Sequence, residues 1–415
     1  MSVPRVVSAF SNRNYGLLWC ANWIEYSTRN MQIVLLAWFV LDLTDSPFLV
    51  ALVAFFGMAP YPLLGMVGGW LADRVNKRKL MIFSGFLGLC TALLMLMAIS
   101  FLTIHFWYAY IVISVVGFAT ALTTPSRRSL YIEFLGPKGV TNGAALDGVG
   151  MQSSKMLGPI VAGGLIAFFG IDGGYLVISF LYFIGLILVC RIQFPRHNIS
   201  STVNDSAQIL QNIKEGLVYA LSNKIIFSTL LITIVMNMLY FPFQPMVPVI
   251  ARDVLAVGPL LMGILFASEG FGAVLGSLLI ASRSSIIFQG RYYILGSLLA
   301  AAGLLFFGVS NSYIFAYFAL LLAGIGVSGF ATMQSTIVLI TARDNVRGRA
   351  LGVITLGIGT QPIGALIIGA LASLQGPVFA VTIHATLGII LVSLVAIFFR
   401  NLWGKISADQ TPYKF

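Results

Sequence analysis

The sequence predicts an all-α polytopic membrane protein, with twelve transmembrane helices arranged as two pseudo-symmetric six-helix bundles. Three observations carry this. The 415 residues are 59% hydrophobic and 9% charged, with mean hydropathy +0.96, whereas soluble domains carry about 25% charge. Apolar stretches suited to a hydrocarbon core, which takes about 20 residues to cross, fall at roughly 16–41, 47–71, 79–102, 105–125, 140–168, 174–194, 225–251, 258–282, 290–309, 312–341, 349–374 and 377–399. One long polar interruption, 195–224, leaves an N-terminal bundle over 1–194 and a C-terminal bundle with a short tail over 225–415.

Pro47, Pro259 and Pro377 fall near predicted helix starts, where a missing N–H costs least. The N-terminus has no cleavable signal pattern: Arg5 and Arg13 precede an apolar segment too long for a signal core. The net charge of +11 invites a nucleic-acid reading, which its distribution excludes. With both termini cytoplasmic, all but Arg29, Lys155 and Arg252 of the 24 Lys and Arg lie in cytoplasmic segments, as the positive-inside rule requires. Cys20, Cys90 and Cys190 lack metal-ligand spacing, and no Walker loop occurs. Neither a metal nor a cofactor is expected, and nothing reads as an enzyme.

Within the interruption, Pro195–Ser206 reads as an exposed connector. Leu210, Ile213, Leu217 and Leu221 then recur at helical spacing, predicting an amphipathic helix on the cytoplasmic membrane surface. The halves also repeat weakly. A shift of 206 residues lays Val140, Ala144, Gly158 and Gly163 over Val346, Ala350, Gly364 and Gly369, and Ser129 over Ser335.

Between the second and third stretches lies Gly69-Trp-Leu-Ala-Asp73-Arg74-Val-Asn76-Lys77-Arg78-Lys79. It resembles the signature loop of the major facilitator superfamily of secondary transporters, with Asn76 where that family usually has a second glycine. Asn tolerates the left-handed turn conformation better than most residues. The resemblance implies parallel six-helix repeats with a binding site near the midplane. It also implies that Asp73 latches the cytoplasmic side against the helix beginning near Arg349, with Arg74, Lys77 and Arg78 tuning the latch.

The fifth stretch carries Gly150, Ser154, Gly158 and Ala162 four apart, then Pro159, Gly163 and Gly164. Such a face lets a neighbouring helix pack closely. It resembles the fifth-helix motif of drug:proton antiporters, with three residues rather than two between Gly-Pro and Gly-Gly. Asn12–Trp19, Leu43–Pro47, Pro125–Leu130 and Arg347–Gly352 look like the enterobactin-exporter and macrolide-efflux branch. That resemblance implies proton-linked export of an amphiphilic small molecule.

Ionisable groups inside a bilayer cost at least about 2.5–3.5 kcal/mol each, so each needs a reason. Glu25 and Arg29 are spaced for an intrahelical ion pair, either a static pin or a cavity-lining pair whose Glu25 exchanges a proton. Lys155 lies about 14 residues, roughly 21 Å, into the fifth stretch; it pairs with Glu25 or binds an anionic substrate group. Glu269 has no cation within a turn on its own stretch. It is either a proton carrier or a protonated, hydrogen-bonded structural group. Gln152, Asn237 and Gln361 are candidates for substrate hydrogen bonds or helix–helix contacts. Asp147 reads as a structural partner for nearby cations and His384 as peripheral. Trp23, Trp38, Phe241, Phe243, Phe266 and Phe271 are candidates for an apolar cavity wall.

The resulting expectation is a monomeric inner-membrane exporter coupled to protons and working by alternating access, with a small molecule and the lipid bilayer as its partners. Gradient-driven uptake on the same fold, or a non-transporting receptor or scaffold, are the alternatives.

Overall fold

In the computed structural model, residues 9–61, 75–101, 105–194, 206–283, 286–343 and 346–406 are described, although side chains 206–213 and that of Lys138 are not. Helices dominate these residues, with no strand among them. Nine helices among the described residues are long and apolar enough to cross a membrane. The protein is an all-α polytopic, multi-pass membrane protein. By internal contacts it divides into unit 1, Met1–Thr202 with Ala256–Ala267, and unit 2, Val203–Leu255 with Ser268–Phe415.

Unit 1 opens with α1 (Arg13–Thr44), whose N-cap Asn12 accepts hydrogen bonds from the backbone N–H groups of Asn14 and Tyr15. Asp45 ends α1 in a left-handed conformation, and Ser46 caps α2 (Pro47–Met58), which has proline at its first position. After α3 (Lys77–Phe101) come α4 (Trp107–Pro137) and α5 (Gly139–Arg191). Two glycines supply the corners: Gly136 at φ 67° ends α4, and Gly170 at φ 71° breaks α5. An L side chain is disfavoured at either φ.

The N-terminal segment is tied to the α4–α5 corner by hydrogen bonds. Asn12 Nδ2 donates to Phe134 O at 2.7 Å, Tyr15 OH to Gly143 O at 2.7 Å, and Trp19 Nε1 to Leu146 O at 2.9 Å. Tyr15 and Leu18 are fully buried in the core formed there with Leu130, Tyr131 and Val189. The fourth span runs well past residue 125, where the sequence reading ended it. Pro125 is accommodated within α4, and Leu130 and Tyr131 continue its buried face.

Unit 2 begins with α6 (Ser206–Ser222). Among its described side chains, Leu217 and Leu221 of the expected apolar stripe are 40% and 53% exposed, while Tyr219 and Ala220 are buried. They pack with Ile226, Leu230, Val346, Ala350 and Val353. Gly216 explains the choice of face. A Cβ there would come within 2.9 Å of Arg349 O, so only a residue without one admits the close approach, which Glu215 seals by an ion pair with Arg349.

Asn223 caps α7 (Lys224–Val235), which passes through a π turn at Met236–Tyr240 and a 3-10 turn at Phe241–Phe243 into α8 (Met246–Asp253). Pro242, Pro245 and Pro248 remove backbone donors there, so a regular ladder cannot persist. Then follow α9 (Pro259–Ala281), whose residues up to Ala267 belong to unit 1, α10 (Gln289–Gly308) and α11 (Tyr313–Thr341). The next span is interrupted at Gly359 and Thr360, giving α12 (Arg347–Ile358) and α13 (Gln361–Gln375), before α14 (Pro377–Phe398). The three prolines expected at helix starts each occupy the first helical position.

Candidate functional site

The buried charges of unit 1 meet where α1, α4 and α5 pack together. Glu25 does not pair with Arg29: its Oε2 forms an ion pair with Arg127 of α4, whose side chain is 5% exposed. Arg127 NH1 also donates to Asn22 Oδ1 at 2.5 Å, and Nε reaches Thr123 Oγ1 at 3.5 Å. Asn22 Nδ2 donates in turn to Tyr131 OH at 3.2 Å and Asp147 Oδ1 at 3.1 Å. Tyr26 OH donates to Asp147 Oδ2 at 3.0 Å. Asn22, Glu25 and Tyr26 project from adjacent turns of one α1 face, so a single helix supplies one carboxylate of the network and donates to the other.

Arg29 instead reaches Tyr61, donating to its hydroxyl at 2.5 Å and lying 4.9 Å from its ring centroid, with Met58 Sδ at 3.5 Å. The i, i+4 spacing was a real opportunity, but the two side chains diverge to different helices. Each gains a better partner there: a buried carboxylate close to a planar guanidinium, and a cation over an aromatic face. Lys155 is exposed on α5 and Gln152 half-buried. Glu25 Oε1 has no hydrogen-bond partner among the described residues.

The small residues of α5 serve two neighbours. Gly150 lies against Trp19, Ser154 Oγ accepts from Asn30 Nδ2 at 3.3 Å, and a Cβ on Gly158 would come within 2.9 Å of Asn30 Cβ. Gly163 faces the first turns of α9, where a Cβ would come within 2.3 Å of Pro259 O. The carbonyl of Pro159 would be equally close to a Cβ on Gly263.

In unit 2 the polar candidates sit at helix interruptions. Asn237 lies in the π turn, 2% exposed, donating to Thr233 O at 2.9 Å. Gln361 begins α13 immediately after its break. The interruptions are packed together, since a Cβ on Gly364 would come within 2.2 Å of Met238 O. Glu269 on α9 accepts from Tyr240 OH at 3.0 Å, so the π turn also supplies a donor to the carboxylate. His384 is 1% exposed, with Nδ1 3.0 Å from Ala380 O. Among the aromatic candidates, Trp23 Nε1 donates to Ser153 Oγ at 3.0 Å, Phe243 is buried, and Phe271 is 42% exposed.

Of the loop motif, Gly69, Asp73 and Arg74 lie outside the described residues. Lys77 forms an ion pair with Glu133 of α4, and Arg78 donates to Cys190 O at 3.1 Å. Both tie the start of α3 to other helices of unit 1.

Sequence reasoning missed Arg127, which it assigned to a cytoplasmic loop after Pro125. The signal was the apolar periodicity beyond that proline, at Leu130, Tyr131 and Phe134. Tyr240 as the partner of Glu269 carried no sequence signal, because the contact spans two helices. Asp147 accepts from Asn22 and Tyr26, where a cation partner was expected. Chemically, the network offers two carboxylates, one guanidinium and hydroxyl and amide relays in a largely water-excluded setting.

The transmembrane secretion effector family profile matches residues 5–414. The staphyloferrin A transporter of Staphylococcus aureus is 23% identical, covering 96% of this chain and 97% of that protein. Macrolide efflux protein A of Streptococcus pyogenes is 20% identical, covering 69% of this chain and 72% of that protein. Solved structures of similar fold include a peptide transporter, POT, with TM-score 0.74 and 12% identity over 97% of this chain and 99% of that one. A bacterial homolog of the human lysosomal transporter Spinster aligns with TM-score 0.70 and 15% identity, over 97% and 98% of the two chains.

Proposed function

Because the chain belongs to the transmembrane secretion effector family of the major facilitator superfamily, we propose that it exports an amphiphilic small molecule across the inner membrane, coupled to proton entry. As a member of that superfamily it is a transporter of small molecules and not an enzyme. The finer reading makes it a monomer with both termini cytoplasmic that works by alternating access. The exported molecule is of siderophore or macrolide character, a class supported by the names of its relatives.

The single observation that carries the coupling is the buried Glu25–Arg127 pair. The guanidinium lies against the Glu25 carboxylate there. A proton arriving on Glu25 removes that attraction, leaving Arg127 with Asn22 and the neighbouring Asp147. The pair therefore has two arrangements whose balance depends on one proton, as a coupled cycle requires. Each charge crossing the full field contributes about 2.3 kcal/mol per 100 mV. Glu269, with the Tyr240 hydroxyl on it, is the second proton candidate. Arg29, Lys155, Gln152, Asn237 and Gln361 are the groups offered to substrate.

Reconstitution with a trapped pH dye tests this directly, using catechol siderophores, macrolides and amphiphilic dyes as probes. Substrate-dependent proton movement is expected from the native protein and lost from Glu25→Gln or Glu269→Gln. Substrate movement without protons, unchanged in both variants, would remove the coupling. In the loop motif, Asp73→Asn is expected to insert normally and transport poorly; normal transport at normal expression would defeat that role.

A further inference from the structure

Behind the Glu25–Arg127 pair, unit 1 contains a second line of polar groups. Glu25, Thr28 and Gln32 recur at one-turn intervals along one α1 face, spanning about 10 Å at 1.5 Å per residue. Across from them, Tyr182 and Tyr175 lie two turns apart on α5. Tyr182 OH donates to Gln32 Oε1 at 3.2 Å. Thr28, Gln32 and Tyr175 are 0% exposed, and Tyr182 is 5%.

The line is incompletely bonded. Glu25 Oε1, Gln32 Nε2 and Tyr175 OH find no hydrogen-bond partner among the described residues. A buried polar atom left without one costs about 1–3 kcal/mol, and bound water is the usual remedy where several such atoms lie together. Close packing holds the tyrosine in place: a Cβ on Gly88 of α3 would lie 2.5 Å from the Tyr182 ring. Alanines or leucines at these positions would pack a helix bundle at lower cost.

We propose that Glu25, Thr28, Gln32, Tyr182 and Tyr175 form a water-bearing proton path inside unit 1, leading from the end of the membrane opposite the N-terminus to Glu25. This rests on the proton coupling proposed above and gives it a route. A proton entering beside Tyr175 moves along waters held by the tyrosine hydroxyls and the Gln32 amide. It forms an O–H bond on Glu25 Oε1, and the ion pair with Arg127 breaks; the reverse step releases the proton. No other reactant is consumed.

The test is an acid pH jump on the full-length protein in detergent, followed by time-resolved infrared detection of the protonated Glu25 carboxyl. The band is assigned by its loss in Glu25→Gln. Gln32→Leu and Tyr175→Phe are expected to slow its appearance on the order of ten-fold at native unfolding temperature. Gln32→Asn, which keeps the amide, is expected to retain most of the rate. A native rate in both Gln32→Leu and Tyr175→Phe would overturn the path while leaving Glu25 as the carrier. Slowing that tracks a lowered unfolding temperature would also overturn it, since packing then explains the effect. A native protein whose Glu25 never protonates removes the coupling itself, and the path with it.

Discussion

The two units solve the same packing problem with opposite chemistry. Counted from the N-caps Asn12 and Asn223, Glu25 of α1 has Met236 as its counterpart. Counted from the helix starts Trp107 and Tyr313, Arg127 has Met333. The ion pair of unit 1 is thus matched by two buried methionines in unit 2. Conversely, α1 runs unbroken for 32 residues, whereas its counterpart is interrupted by π and 3-10 turns. Unit 1 keeps charge on regular helices; unit 2 keeps irregular backbone and mostly uncharged polar groups. Buried backbone irregularity and buried charge are both expensive, and each unit carries mainly one of them. On the proposed function, the buried ion pair makes unit 1 the first place to test for proton chemistry, and the interrupted helices of unit 2 the place to test for adaptable substrate contact.

The sharpest way to break that assignment is to make unit 1 resemble unit 2. Arg127→Met strands a buried carboxylate and should lower stability by about 3–5 kcal/mol, read by thermal unfolding in detergent. Adding Glu25→Met should recover much of that stability while proton-linked transport stays absent. A double variant that still couples transport to protons would end the proton role of unit 1. Asp147→Asn comes next. Weakening the charge-assisted bonds from Asn22 and Tyr26 should cost about 1.5–3 kcal/mol, and a transport loss without that destabilisation would give Asp147 a more direct role.

Unit 2 offers a matching test of its irregular backbone. Gly364→Val places atoms against Met238 O and should cost about 1–3 kcal/mol by overpacking. Substrate affinity should weaken more than proton binding by Glu25; equal losses would mean that the two interruptions serve packing alone. The smallest effect belongs to Glu215→Gln on α6. Its partly exposed pair with Arg349 is worth at most about 1 kcal/mol, with transport close to native in liposomes. A large loss would give the linker helix a part in the cycle.

Much of this was legible beforehand because it follows from local rules. Pro47, Pro259 and Pro377 announced helix starts through their missing N–H. The glycine spacing of α5 announced a close-packed face, although not that Gly158 and Gly163 meet different helices. Glu25 and Glu269 were visible as costly residues in apolar stretches. Their partners were not visible, since Arg127 and Tyr240 approach from elsewhere in the chain. The amphipathic period of α6 was legible too, but its buried face depended on Gly216 meeting the backbone at Arg349.

By itself the sequence determined that this chain inhabits a membrane as apolar helices, and it marked the polar residues whose burial demands a reason. Composition and periodicity suffice for that, because transfer into hydrocarbon is close to additive over residues. Only the tertiary structure decided which charge meets which. An ion pair depends on distances of a few ångströms between segments remote in sequence, and Arg127 on Glu25, rather than Arg29, is a product of how α1 and α4 pack.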